Sequence, residues 1–450
     1  MLIMKFGGTS VENAAAMHNV ASIVKQHQHR KPFVVISAIA QATNLLTSIG
    51  TNAALGNMSV VQENIATFIS KHVSIIEEGI SSPQTQRRLK ETVANVQQDL
   101  ERLSQGIFFL RELSPRSLDA LCVFGEYLSS LCVHEIFLEQ EIPGVWLDAK
   151  KFMLTDNNFT SASPRLDEVQ KRLQNILHNV EKENPIFVTQ GFIGATEEGI
   201  PTTMGRESSD FTAAVLGSVL NADEIQIWTD VDGFFTADPR VIPTAKLIPH
   251  LSYAEALELA DRGAKVLHPK TMLPIAEKNL PLLIRNSKNP TSAGTSVSSS
   301  RNEFATAVGV TLKNNIAIVS LIPFEQKNFS LLTEILAGIL AEHKRTPLFH
   351  SAGERAHLFG FEGGKISDSF IQAFREIGSV TLVEKKSLLT IVGNNIFQSP
   401  SVVMRFMKSL ADTQLHYMTM SAHRLSLAAV VNEEDALRSM VAIHKEFFEQ

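Results

Sequence analysis

The sequence predicts an α/β protein, a doubly wound and mostly parallel sheet followed by two small α+β units. Three observations carry this reading. Short apolar runs, Leu2–Phe6, 33–37 and 186–192, alternate with stretches of helical period in the first 290 residues. Runs of that kind suit parallel strands covered on both faces. A Ser/Thr-rich stretch, 287–303, then breaks the pattern, and beyond it an order of strand, helix, strand, strand, helix occurs twice. With 450 residues the chain is too long for one ordinary domain.

Taken in order, Leu2–Phe6 reads as a buried strand, broken by Gly7-Gly8-Thr9-Ser10, and Val11 to Gln28 as a helix. Pro32 opens the second strand. Asn44 to about Gly106 reads as helical. Its apolar residues Leu89, Val93, Val96, Leu100 and Leu103 recur four and three apart, as in a helical hairpin packed on the domain. Leu118–Leu138 is a more apolar helix containing Gly125-Glu126, and Leu166–Val180 a helix after Pro164. The strand ending in Gln190-Gly191-Phe192 leads to a polar loop, 202–210, and an apolar helix to Leu220 that Ser209 or Asp210 could cap. Strands follow at 224–228 and 280–285. These define expected domains of 1–290, a linker at 291–304, and α+β units at 305–380 and 381–450 that could interleave. In the tail, strands are expected at 308–310, 316–321, 355–361, 388–393, 417–420 and 425–431, with helices at 331–343, 369–377, 401–410 and 433–447.

Composition excludes several classes. Hydrophobic content of 44% and charged content of 20% are ordinary for a globular chain, and a net charge of -6 gives no case for nucleic acid. Cys122 and Cys132 lie in one apolar run and are expected to be buried thiols of a cytoplasmic protein. No Cys/His spacing suits zinc, and no apolar run is expected to span a membrane. There is no Gly-x-x-x-x-Gly-Lys-Ser/Thr, no Gly-x-Gly-x-x-Gly opening a βα unit, and no Gly-x-Ser-x-Gly elbow.

Polar clusters instead fall at expected strand ends: Lys5 with Gly7, Gly8 and Ser10; Ser37 with Thr43; Phe192; 206–210; and Thr229-Asp230. Open α/β sheets bind ligands at the carboxyl ends of their strands. Cations (Lys5, Arg206) beside acids (Asp210, Asp230) suit a phosphate-bearing, metal-dependent substrate better than a hydrolytic nucleophile.

Seven motifs, in order, resemble those of the monofunctional aspartokinases, members of the amino-acid kinase superfamily with C-terminal ACT domains. They are Lys5-Phe6-Gly7-Gly8-Thr9-Ser10-Val11, Gly125-Glu126, Thr189-Gln190-Gly191-Phe192, Gly205-Arg206-x-x-Ser209-Asp210, Trp228-Thr229-Asp230-Val231-Asp232-Gly233, Thr236-Ala237-Asp238-Pro239-Arg240 and Gly263 to Pro269. The tail resembles the family's paired, ferredoxin-like ACT units more loosely. The resemblance implies transfer of the γ-phosphoryl of ATP to the β-carboxylate of L-aspartate, with Mg²⁺ held through the ATP phosphates. It implies that Lys5 and its glycines hold phosphate, that Lys5 and Asp210 are catalytic, and that Ser209 and Asp210 complete the loop after Arg206. Arg206 would bind a substrate carboxylate, Glu126 its ammonium, and Thr43, Phe192 and Ser209 would complete that pocket. Thr229, Asp230, Phe235, Arg240 and Lys265 would contact ATP. An amino-acid effector at the ACT units and at least a homodimer are also implied.

Departures from the family pattern are Ser208 where Gly is usual, Glu207, Phe235 where many relatives carry Tyr, and the absence of a glycine around Gln41-Ala42. A φ above zero at Ser208 would strain that loop. Pro347-Leu348 replace a Val-Asp pair of lysine-sensing relatives, which argues against a lysine site of that form. Glu255 and Glu258 read as a solvated helix face. Two alternatives stay open at this point: a catalytically weak amino-acid sensor, and a kinase for glutamate, N-acetylglutamate or carbamate.

Overall fold

A computed structural model describes residues 1–449 apart from 181–184, 206–207, 265, 268, 300–306, 325–328, 354 and 364–365, with backbone only for Asn179, Phe329 and Phe397. The chain divides into two compact units. The first holds Met1–Phe234, Pro249–Tyr253 and Val266–Arg301; the second holds Phe235–Ile248, Ala254–Lys265 and Asn302–Gln450.

The first unit is built on an eight-stranded sheet. Its strands are β1 (Leu2–Phe6), β2 (Pro32–Ile36), β3 (Gly144–Leu147), β4 (Ile186–Gln190), β7 (Glu224–Thr229), β8 (His250–Ser252), β9 (Leu282–Asn286) and β10 (Thr295–Ser298), while β5 (Ile193–Ala195) and β6 (Pro201–Thr203) form a separate hairpin. The order is β3-β4-β2-β1-β7-β9-β10-β8, parallel from β3 to β9, with β10 antiparallel to β9. Every residue of β1, β2 and β4 is buried, as continuous apolar runs in a covered parallel sheet require. The Ser-rich stretch thus supplies β10, whose alternating burial lets small polar residues serve as a strand.

Helices follow their local signals. Asn13 caps α1 (Ala14–Gln26) through Ala16 N at 2.9 Å. The expected hairpin is three helices, α2 (Ala42–Leu55), α3 (Met58–Gly79) and α4 (Pro83–Leu110), because Gly56, in the left-handed region at φ 87, ends the first. Ser82-Pro83 and Ser114-Pro115 start α4 and α5 (Pro115–Glu139) with a capping serine and proline at the first helical position. Leu89, Val93, Val96 and Leu100 are buried as the stripe predicts. α5 corrects the expectation about spanning length: it is long and apolar enough to cross a membrane by length and composition. Most of it is buried within the protein, together with Asp119, Glu126 and Glu135, as befits a core helix. α6 (Leu166–Val180) matches its expected bounds, and α7 (Ser209–Leu220) follows the polar loop. Cys122 and Cys132 are buried free thiols, and burial pushes Cys132 up to about 12.

The second unit carries a six-stranded antiparallel sheet of order β12-β13-β11-β14-β16-β15. These are β11 (Gly309–Pro323), β12 (Phe349–Ala352), β13 (His357–Glu362), β14 (Gly378–Val392), β15 (Leu415–Met420) and β16 (Ser426–Asn432). The two expected strands at 308–310 and 316–321 are one 15-residue strand, with register shifts near Lys313 and Ile316 and Asn315 at φ 57. Two apolar cores use the same long strands. Val319, Leu321, Leu336, Phe359 and Phe370 form one; Val310, Leu389, Phe406, Leu427 and Ile443 form the other.

The segment 235–248 is built into that second core through Ala237 and Ile242. Thr236 O accepts Val310 N at 2.8 Å, Thr236 Oγ1 meets His444 Nε2 at 2.9 Å, and Lys246 Nζ donates to Phe448 O at 3.0 Å. Glu258 does not lie on a solvated face. It is buried, accepting from Arg262 Nε at 2.9 Å and from Ser426 Oγ, and Glu255 is buried as well.

Candidate active site

The carboxyl ends of β1, β2, β4 and β7 lie in register, Phe6 beside both Ile36 and Trp228, and Ile36 beside Gln190. The residues that follow them therefore share one sheet edge: Gly7-Gly8, Ser37-Ala38, Gly191-Phe192 and Asp230 after Thr229. This is the convergence expected from the sequence.

Close backbone approach holds the edge together. Gly7 N donates to Trp228 O at 2.9 Å, Ala40 N to Gly8 O at 3.1 Å, and Gly191 N to Ile36 O at 2.9 Å. A Cβ on Gly8 would stand 2.8 Å from Ala38 O, and one on Gly191 2.5 Å from Ser209 Cβ. Both glycines are required by contact with neighbouring backbone or the start of α7. Ser10 Oγ lies 2.7 Å from Ser287 Oγ, behind the glycine turn.

Lys5 and Asp210 form a buried ion pair, Nζ to Oδ1 2.6 Å, with each side chain 10% exposed. Neither Ser209 nor Asp210 caps α7. Ser208 is the cap residue and makes no side-chain cap bond. Asp210 sits in the first turn, where its charge suits the helix end, and its carboxylate turns to Lys5. Lys5 Nζ is also 3.5 Å from where a Cβ on Gly7 would lie, so the ammonium is beside the glycine turn.

Glu126 is 4% exposed, and its Oε2 has no hydrogen-bond partner among the described residues. Burial raises its carboxyl to about 8, against the Ala38 backbone amide, its own backbone amide and the Lys5 charge. Gly125 explains its placement, since a Cβ there would fall 2.9 Å from Ala38 Cβ. Phe192 is buried at φ 66, held by Phe192 N to Thr212 Oγ1 at 2.9 Å and Met204 N to Phe192 O at 3.0 Å. A bulky residue in the left-handed region is strained backbone, maintained here from both sides. Thr43 is half-buried in the first turn of α2, after Gln41 at φ 69, where the family's glycine would be at ease.

Thr229 Oγ1 donates to Asp230 Oδ1 at 3.2 Å. Phe235 and Arg240 belong to the second unit. Phe235 is half-buried, and Arg240 is exposed and forked onto Asp238 at 3.0 and 2.7 Å. Arg206 and Lys265 lie outside the described residues. Ser208 has φ -83, so the strain anticipated for it is absent.

The sequence reading passed over Asp119. It is fully buried in α5 and accepts Thr160 N at 2.9 Å, Thr203 N at 3.0 Å and Thr203 Oγ1 at 2.6 Å. Burial raises its carboxyl above the usual range, against those three hydrogen bonds. The signal that singled out Glu126, an acid in an apolar helix, applied equally to Asp119.

An ammonium fixed by a buried acid beside a glycine turn can hold phosphate oxygens, and a buried carboxyl nearby can receive a substrate ammonium. Comparisons with known proteins agree with that chemistry. The pattern of the Amino acid kinase family matches residues 1–286. Lysine-sensitive aspartokinase 3 of Escherichia coli is 29% identical over 100% of this chain and 99% of its own length. Aspartokinase 2, chloroplastic, of Arabidopsis thaliana is 28% identical over 99% of this chain and 84% of its length. The crystal structure of E. coli aspartokinase III with aspartate and ADP, in the R-state, superposes with a TM-score of 0.88 at 28% identity and covers 100% of both chains. The same enzyme with lysine and aspartate, in the T-state, gives 0.82, covering 100% of this chain and 99% of that one. The chain belongs to the amino acid kinase family and is built like its aspartokinases from end to end.

Proposed function

We propose that this protein is an ATP-dependent aspartate kinase, transferring the γ-phosphoryl of ATP to the β-carboxylate of L-aspartate to give 4-phospho-L-aspartate. The observation that carries the reading is the buried Lys5–Asp210 pair beside the glycine turn, on the same sheet edge as Glu126. Catalysis of this kind needs positioning and charge stabilisation and no covalent enzyme intermediate. Lys5 balances charge on the phosphoryl oxygens, and Asp210 holds its ammonium in place. Gly7 and Gly8 let backbone approach the phosphates, with Ser10 bracing the turn. Glu126 takes the substrate ammonium and Arg206 a substrate carboxylate, while Thr43, Phe192 and Ser209 shape the pocket. Thr229, Asp230, Phe235, Arg240 and Lys265 serve the nucleotide.

Among the described residues, no group of three or more His, Cys, Asp or Glu side chains is arranged to hold a metal. Mg²⁺ would come with ATP, held through its phosphates, and would supply charge neutralisation there. Regulation falls to the second unit, whose sheet would bind an amino-acid effector. Among the described residues β12 and β15 end that sheet, and along these edges two copies would join as a homodimer. Reduced, buried cysteines suit the cytoplasm, where we place the enzyme.

The test is ATP- and Mg²⁺-dependent acyl-phosphate formation, trapped by hydroxylamine, with L-aspartate against a panel of glutamate, N-acetylglutamate and carbamate. Each arm is run with and without lysine, threonine and methionine. Turnover confined to aspartate is expected. Turnover of another substrate, or none with folded, ATP-binding protein, would overturn the proposal.

A further inference from the structure

We propose that Asp119 is a positioning residue for the aspartate pocket, fixing the polypeptide that carries the substrate-facing groups rather than touching substrate itself. The inference rests on the aspartate kinase reading above.

Asp119 stands seven residues before Glu126 on α5, two helical turns away on the same face. One stiff helix therefore presents the acid for the substrate ammonium and, about 10 Å along it, a second buried acid. That second acid grips two segments at once. Its Oδ2 takes Thr160 N at 2.9 Å and Thr203 N at 3.0 Å, and its Oδ1 takes Thr203 Oγ1 at 2.6 Å. Thr203 ends β6, three residues before Arg206 and seven before Asp210. It pairs with Ile193 across the hairpin, so the grip extends to Phe192.

The loop on the other side is bound as firmly. Ala162 N donates to Thr203 O at 2.9 Å, closing a ring of contacts through Asp119, Thr160 and β6. Thr160 sits at φ 68, a conformation that a β-branched residue adopts only under constraint, and its N–H is the group Asp119 accepts. A carboxylate with no exposed surface, satisfied by two segments remote in sequence, is an expensive way to brace a surface loop. It makes sense as the device that fixes the end of β6 and, through the hairpin, Phe192 at the sheet edge.

Kinetics of Asp119→Asn test this against the wild type in the hydroxylamine assay. The amide keeps the shape but offers one acceptor oxygen for three donors. The expected result is a rise in KM for aspartate of about tenfold or more, with KM for ATP within about twofold. Equal changes in both KM values, or a lowered melting temperature with unchanged kinetics, would reduce Asp119 to a structural role and overturn the proposal. Thr203→Val removes only the 2.6 Å bond and keeps the backbone one. It carries the test if the first variant does not fold, with an expected rise in KM for aspartate of about threefold and no change for ATP. An unchanged KM for aspartate in Thr203→Val would then overturn the proposal. A wild type that leaves aspartate untouched overturns the functional reading instead, which separates the two failures.

Discussion

On the role proposed for Glu126, its protonation state makes aspartate binding depend on pH. Its carboxyl has about 4% of its surface exposed and ionises at about 8. Receiving the substrate ammonium requires the ionised form, so the apparent affinity scales with the ionised fraction. That fraction is about one in a hundred at pH 6, one in eleven at pH 7 and one in two at pH 8. KM for aspartate should therefore fall roughly fiftyfold from pH 6 to pH 8, while KM for ATP stays flat. Initial rates across both substrates at half-unit pH steps measure this. Glu126→Gln, which cannot ionise, should bind aspartate weakly and lose the slope. The folded-state value lies above the ordinary value of 4.5, so the native protein binds the proton more tightly than the unfolded chain does. Stability contributed by this site is greatest below pH 4.5 and declines as pH rises towards 8, and aspartate should restore part of it. A KM for aspartate that is flat from pH 6 to 8, or one that varies identically in Glu126→Gln, would refute the assignment.

Asp210→Asn leaves Lys5 as an uncompensated buried cation, at a cost of about 3–5 kcal/mol. The variant should unfold at lower denaturant, regain stability with ATP, and lose kcat on the order of a hundredfold; equal stability with and without ATP would count against phosphate contact by Lys5. His72, fully buried against Phe68, is held down to about 4 by desolvation. The unfolded chain therefore binds more protons between about pH 4 and 6.5, and stability falls by up to about 3 kcal/mol as pH drops through that window. Urea melts at pH 5 and 7 should show it in the wild type and not in His72→Phe. Ser208→Gly should leave turnover within about twofold, since φ -83 is ordinary backbone. Gly191→Ala should lower it sharply, because its Cβ would meet Ser209 at 2.5 Å; a reversed ranking in paired assays would show that the loop differs in conformation.

The sheet edge was legible because each strand end carried its own marker, a glycine or a small polar residue after an apolar run. Lys5 stood out as a cation within a buried strand, Glu126 as an acid within an apolar helix. Pairing was not legible. Nothing in the polar loop 202–210 says that Asp210 turns to Lys5 rather than to the end of α7, because capping is local and the ion pair spans 205 residues of sequence. Glu258 failed for the same reason: its partner Ser426 comes from the far end of the chain. β10 was hidden by composition, since Thr295–Ser298 has the residues of a linker and gains strand character only from its neighbours. The site's remaining support, Asp119 with Thr160 and Thr203, comes from three separate stretches and required the tertiary structure to assemble.

The membership of residues 235–248 in the second unit bears on how such proteins can be rebuilt. Ala237 and Ile242 share an apolar core with β11, β14, β16 and the helices Pro400–Ser409 and Glu433–Phe448, and Thr236 is bonded to the last of these. A break at the Ser-rich stretch would look harmless in sequence, yet it would strip those residues of their packing. Tails of this design cannot be exchanged by joining one front half to another back half. Shuffling would have to move the inserted segments with the tail. Change in the second unit is therefore expected to arise by substitution in place, and the segments and the tail should be inherited as one piece.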